Sequence, residues 1–217
     1  FVERALAKGD PRARRMAVDA LGAVGGPRAA EAVAFALADE ESDVRLAAVR
    51  ALGRVGHIEP LTALVGSSSD SEVVAAALRA LGEADRDVGF SSARPLVTSP
   101  DLAIAFAAIE AIGRSDAPGR ADALFEALEH PDDEVVKLAL SELSSAADAR
   151  ALARIGACLD HASWEVRRLA SELLGQSKSA VAQAFLRARL EREREPIVRD
   201  ALTEALSLRP PPGFEAG

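Results

Sequence analysis

The sequence predicts an all-α fold, an α–α superhelix of about seven helix–turn–helix units stacked as a solenoid. Three observations predict it. A short amphipathic phrase ending in Leu or Ile and then a small residue returns seven times. It closes at Gly22, Gly53, Gly82, Gly113, Ser144, Gly175 and Ser207, in steps of 31, 29, 31, 31, 31 and 32 residues. A fixed period in this range marks stacked repeats, because one unit cannot bury its own apolar face. Within each phrase the core residues fall at offsets 0, +4 and +8, which share one helical face. No segment sustains the two-residue alternation of a strand, so no sheet is expected.

Each phrase reads as a helix with its start marked. Offset 0 is Ala13, Val44, Val73, Ile104, Val135, Val166 and Val198. Offset +8 is Leu21, Leu52, Leu81, Ile112, Leu143, Leu174 and Leu206. Offset +4 is Ala17, Ala48, Ala77, Ala108, Ala139 and Ala170, then Leu202. Alanine at one core offset in six of seven copies predicts close helix–helix approach, since a larger side chain pushes layers apart. Offset −3 is Asp10, Glu41, Asp70, Asp101, Asp132, Ser163 and Glu195. Asp and Ser there cap free N–H groups at a helix start, and negative charge suits the dipole. Pro11 and Pro196 follow in the first turn, where proline is tolerated. Arg recurs at +1 as Arg14, Arg45, Arg167 and Arg199.

Weaker helices lie between the phrases. Residues 27–39, 118–130, 148–161 and 179–190 have helical apolar spacing. Residues 57–65 and 88–96 are shorter, and Pro60 and Pro95 should start, kink or end them. Residues 1–9 read as a partial first helix. The array is expected over 1–208, followed by a mobile tail, RPPPGFEAG, over 209–217.

The D-x-x-V-R-x-x-A-x-x-A-L-G phrase is best preserved in ESDVRLAAVRALGRVG (41–56) and SWEVRRLASELLGQS (163–177). It resembles the HEAT-like repeats of phycobilisome lyases and many bacterial scaffold proteins. The resemblance spans residues 1 to 208 and implies architecture rather than activity, because the phrase consists of core, cap and turn positions. It implies a binding scaffold with no catalytic residues and no cofactor. The family also offers a different class of reading, an enzyme-associated module for lyase-like bilin handling or alkylpurine DNA repair.

Composition narrows these readings. The 217 residues carry a net charge of −8, which argues against a general polyanion binder, and nucleic acid is not expected as a partner. One Trp and no Tyr leave little for an aromatic cleft. A single cysteine, Cys158, excludes an intrachain disulfide and a cysteine-based zinc cluster. No apolar run approaches a membrane span. A cytoplasmic protein is expected, one portion of a larger bacterial protein. The Ala- and Arg-rich composition points to a GC-rich genome, and the chain opens at Phe1 without a Met.

Candidate chemistry is sparse. His57, His130 and His161 fall at turns, far apart, and read as solvated turn residues. Metal-binding HEAT hydroxylases carry His-Glu pairs, whereas here the phrases are His57-Ile58-Glu59, His130-Pro131 and His161-Ala162. Cys158 sits on an apolar-spaced helix and reads as a small core residue. Asp132, Asp133 and Glu134 read as an acidic helix start. No metal site and no nucleophile is expected.

The exposed face carries the binding expectation. In solenoids of this kind the second helices line the concave face, and offsets +2 and +6 should point to solvent. The +6 row passes from Asp19, Arg50 and Arg79 to Glu110, Ser141, Glu172 and Glu204. The +2 row turns apolar at Leu46, Ala75 and Phe106. An apolar stripe beside charges is a signature of a protein-binding groove. Leu46, Arg50, Arg79, Phe106 and Glu110 are therefore the candidate residues for a protein partner.

Overall fold

The computed structural model describes residues 6, 9–143, 148–177 and 179–207. These residues form thirteen α-helices and three short 3-10 turns, with no strand among them. The partial helix expected over 1–9 and the tail expected over 209–217 fall almost wholly outside them. Contacts divide the chain into two compact units, Phe1–Ala123 and Leu124–Gly217.

The first unit contains α1 (Pro11–Val24), α2 (Pro27–Phe35), α3 (Ser42–Val55), α4 (Glu59–Ser67), α5 (Ser71–Ala84), α6 (Arg86–Ala93) and α7 (Leu102–Gly113). Helix α8 (Arg120–Ala127) straddles the division. The second unit continues with α9 (Asp133–Leu143), α10 (Ala149–Ala157), α11 (Trp164–Gly175), α12 (Ala180–Leu190) and α13 (Pro196–Ser207). In the first unit the phrase helices pack in sequence, α1 on α3, α3 on α5 and α5 on α7. In the second unit α9 packs on α11 and α11 on α13. The weaker helices form a second layer, α2 against α3, α6 against α5 and α12 against α13. Pro60 stands in the first turn of α4, and Pro95 lies in the 3-10 turn that ends α6.

Four of the seven residues at offset −3 cap their helices as the sequence predicts. Asp10 accepts from the Ala13 N–H at 2.8 Å, Asp101 from Ala103 at 3.0 Å and Asp132 from Glu134 at 2.9 Å. Asp70 accepts from Val73 at 3.3 Å. Glu41 and Ser163 flank their helices without a side-chain cap. At the far end of α3, Gly56 adopts the left-handed conformation (φ 71°, ψ 20°). The His57 N–H then donates to the Leu52 carbonyl at 3.1 Å, which closes the helix as a Schellman motif.

All seven residues at offset +4 are buried. The tightest seam, however, lies elsewhere on the helix. Glycine at +9 of one phrase helix faces alanine at +7 of the next: Gly22 on Ala51, Gly53 on Ala80, Gly82 on Ala111 and Gly175 on Ala205. A Cβ built on these glycines would stand 2.6, 2.9, 3.1 and 2.6 Å from the alanine Cβ. At 100° per residue, +9 and +7 lie on nearly opposite flanks of one helix. Helices α3 and α5 therefore each offer glycine to one neighbour and alanine to the other, and this sets the spacing in that part of the row. The +4 alanines face inward and limit volume instead. Ala108→Leu is expected to cost about 1–3 kcal/mol by overpacking a fully buried site. Denaturant unfolding followed by circular dichroism measures it. A midpoint equal to the parent's would show that the inner row has room to spare.

The arginines at +1 tie each helix start to the turns around it. Arg14 forks onto Asp39 at 2.7 and 2.8 Å, and its Nη1 donates to the Gly9 carbonyl at 3.1 Å. Arg45 donates to the Asp39 and Glu40 carbonyls at 2.8 and 2.9 Å and pairs with Asp70. Arg167 does the same with the carbonyls of His161 and Ala162 and with Glu193. Arg199 donates to the Leu190 and Glu193 carbonyls. The Arg14 guanidinium holds the Asp39 carboxyl below the usual carboxylate range.

Candidate functional site

The candidate residues all lie in the first unit, on α3, α5 and α7. Arg50 is exposed, and Arg79 and Glu110 are partly exposed. Arg79 Nε donates to Glu110 Oε2 at 2.7 Å, so two of the five are bonded across adjacent phrase helices. The apolar row departs from expectation. Ala75 is only 2% exposed, Leu46 is half-buried against the core cluster, and Phe106 is half-buried. Offset +2 lies about 20° round the helix from the +9 glycine row. It therefore sits on the flank where the next helix comes closest, and the row shows its edges rather than an open stripe.

The surface that does open is centred on +6 and +10. Between α3 and α5 the Gly53–Ala80 approach makes a shallow groove of about 600 Å³. Gly53, Ala76 and Ala80 form its floor, and Arg50, Arg54, Arg79 and Glu83 rise around it. Arg50 and Arg54 are exposed, and among the described residues neither has a hydrogen-bond or ion-pair partner. The other charges are at least partly satisfied, Arg79 by Glu110 and Glu83 by Arg114 at 3.9 Å. Offset +10 escaped the sequence reading, although it is simply one turn beyond +6. The second unit builds a similar groove of opposite charge. Between α11 and α13 it is lined by Glu172, Gln176, Ala201, Glu204 and Ala205, with a volume of about 320 Å³.

The remaining candidates are structural. The expectation of solvated histidines fails at His130, which is only 7% exposed and accepts the Asp132 N–H on Nδ1 at 3.0 Å. His161 accepts from Ser163 in the same way at 3.1 Å. In both turns the ring replaces a side-chain oxygen as the acceptor two residues before offset −3, where Ser68 and Ser99 serve in other copies. Cys158 is buried as expected, and burial pushes its thiol up to about 11, far from a reactive thiolate. Among the described residues no three His, Cys, Asp or Glu side chains converge as metal ligands, and no helix is long and apolar enough to cross a membrane. Phe125 carries Arg150 and Arg154 over its ring at 5.3 and 5.4 Å, a cation–π contact that packs α10 against the second unit's first residues.

A chain of paired helices with an alanine–glycine seam, capping aspartates and arginines at +1 is an α–α repeat protein. It belongs to the HEAT-repeat family, whose model for HEAT repeats matches residues 1–82, 58–144 and 121–207. No curated protein sequence matches the chain. Among solved structures it is similar to YIBA of E. coli, with a TM-score of 0.61 at 14% identity, over 94% of this chain and 90% of that one. It is similar also to the complex of CpcE and CpcF of phycocyanin lyase from Nostoc sp. PCC7120, with a TM-score of 0.55 at 20% identity, over 94% and 92%. The N-terminal domain of Mot1 in complex with TBP matches with a TM-score of 0.57 at 18% identity, over 96% of this chain and 34% of that one. Identities this low show the shared fold.

Proposed function

We propose that the chain is a non-catalytic protein-interaction scaffold that docks its partner on the exposed ridges of α3, α5 and α7. The observation that carries this is the α3–α5 groove, where two arginines without a partner among the described residues stand over a floor of Gly53, Ala76 and Ala80. Like charges four residues apart on an exposed helix face repel one another slightly, and a ligand that brings the opposite charge turns this into attraction. Leu46 on α3 and Phe106 on α7, both half-buried, offer apolar edges for an anchor along the same ridges. Two similar folds, CpcE with CpcF and Mot1 with TBP, are found in complexes with other proteins, which supports the same use here.

The test is a photo-crosslinking amino acid placed at the exposed groove position 84 and, separately, at the exposed position 91 on α6. Crosslinks to a partner protein are expected from position 84 and not from position 91. With that partner purified, Phe106→Ala is expected to weaken binding by about 2 kcal/mol, the usual scale for an aromatic anchor, with little change in melting temperature. Crosslinks only from position 91 would move the docking face to the outer helices. A large drop in melting temperature would make Phe106 a packing residue rather than an anchor.

A further inference from the structure

We infer that the α3–α5 groove takes an acidic helical segment of a partner protein. Carboxylates one turn apart on that segment pair with Arg50 and Arg54, and its small apolar residues lie on the alanine floor. This rests on the scaffold reading and gives the partner its chemistry.

Four features carry it. Arg50 and Arg54 are four residues apart on one exposed helix face, about 6 Å along the axis, which is the spacing of Glu side chains at i and i+4 on a facing helix. Both guanidiniums lack partners among the described residues, so a ligand carboxylate displaces no existing ion pair. The floor of Gly53, Ala76 and Ala80 presents no large side chain, so the backbone of a ligand helix bearing Ala or Leu comes close. Glu83 and Glu110 bound the basic patch. A nucleic-acid backbone needs an unbroken positive track, and these two carboxylates interrupt it, as does the chain's net charge of −8. A protein segment, unlike a phosphate backbone, can confine its carboxylates to the positions opposite Arg50 and Arg54 and set small apolar residues opposite Glu83 and the alanine floor. Guanidinium forks also bind carboxylates with two parallel hydrogen bonds, which adds orientation to attraction.

The experiment uses the full chain and a labelled peptide of about 20 residues repeating Leu-Glu-Ala-Ala-Leu-Glu-Ala, with fluorescence anisotropy as the readout. A second peptide carries Gln in place of every Glu, and a DNA duplex of similar length is the third probe. The Glu peptide is expected to bind at least tenfold more tightly than the Gln peptide. The double variant Arg50→Glu/Arg54→Glu is expected to lose at least tenfold in affinity for the Glu peptide while melting close to the parent, since neither arginine makes a hydrogen bond or ion pair among the described residues. Raising the salt about tenfold should weaken the Glu peptide strongly, because exposed pairs are screened. Equal binding of the Glu and Gln peptides overturns the inference, as does unchanged affinity in the double variant or no peptide binding at all. DNA binding tighter than the Glu peptide's, and lost in the double variant, overturns it in favour of nucleic acid. If partner crosslinks still form from position 84 while the Glu peptide fails, the acidic-segment inference falls and the scaffold reading stands. If both fail, both fall.

Discussion

Gly89→Val lowers stability by about 3 kcal/mol, the upper end of what overpacking usually costs. Gly89 lies in α6 with its Cα against the backbone of α5. A Cβ there would stand 2.5 Å from Gly82 Cα and 2.8 Å from Gly82 N. No rotamer relieves a contact between a first side-chain carbon and main chain, so one helix must move. α5 has no room to yield, because the other flank of Gly82 already meets Ala111, with Cβ space of only 3.1 Å. Gly89→Ala separates two opposing effects. Alanine gains up to about 1 kcal/mol of helix propensity over glycine, and overpacking outweighs it, for an expected net loss of about 2 kcal/mol. Gly66→Ala is the control. Gly66 also lies in a helix, but nothing stands within 4 Å of its Cβ position, so that variant should gain a few tenths of a kcal/mol. Urea midpoints at constant slope measure all three. If Gly89→Ala were as stable as Gly66→Ala, the α5–α6 contact would be loose and the glycine incidental.

That pair of glycines shows where sequence reading stops. The period and the 0/+4/+8 face were legible because both are properties of one helix. The capping aspartates were legible because a cap is satisfied within three residues of its own position. What one sequence does not encode is which neighbour a given flank meets. The alanines at +4 therefore read as the seam, whereas the closest approach belongs to Gly53 on Ala80 and its counterparts. Gly89 reads as an ordinary weak residue in a short helix, and its partner becomes visible only when α6 is laid on α5. The apolar row at +2 failed for the same reason: Ala75 points to solvent on an isolated helical wheel and is buried once α5 is flanked on both sides. Of the candidate site, Arg50, Arg79 and Glu110 were legible from the charge row at +6. Arg54 and Glu83 were missed, although they continue that row by one turn and wall the groove.

Glu193 is the strongest case of a residue invisible in sequence, and its removal is expected to be as damaging as any packing change. It sits in the run EREREP, where nothing separates it from Glu191 and Glu195. In the structure it is only 4% exposed and accepts six hydrogen bonds. Arg167 donates at 2.9 and 3.3 Å, Arg189 at 2.9 and 2.6 Å, and the N–H groups of Arg194 and Glu195 at 2.9 Å each. Burial alone would raise its carboxyl. The donors from Arg167, the backbone and Arg189 outweigh that and hold it at about 2, against an ordinary 4.5. Glu193→Ala leaves two nearly buried guanidiniums facing an empty space. Breaking one side of a buried pair costs about 3–5 kcal/mol. Arg189 keeps Asp160 and Arg167 keeps two carbonyls, so the lower end, about 3 kcal/mol, is expected.

The pH dependence gives a second reading of the same residue through Glu193→Gln. A carboxyl whose folded value is depressed contributes its stability above the unfolded value and loses it as pH falls through the folded one. The contribution of Glu193 is therefore whole above about pH 4.5 and disappears as the pH falls towards 2, a change of roughly 3 kcal/mol. Asp39 and Asp70 are depressed too and add to the acid sensitivity of the parent, so the informative quantity is the difference between parent and Glu193→Gln. That difference should be largest near neutrality and shrink steadily between pH 4.5 and 2. A difference that stayed constant over this range would mean that the glutamine is penalised for its shape and that the charge of Glu193 does not hold the turn before α13 to the start of α11.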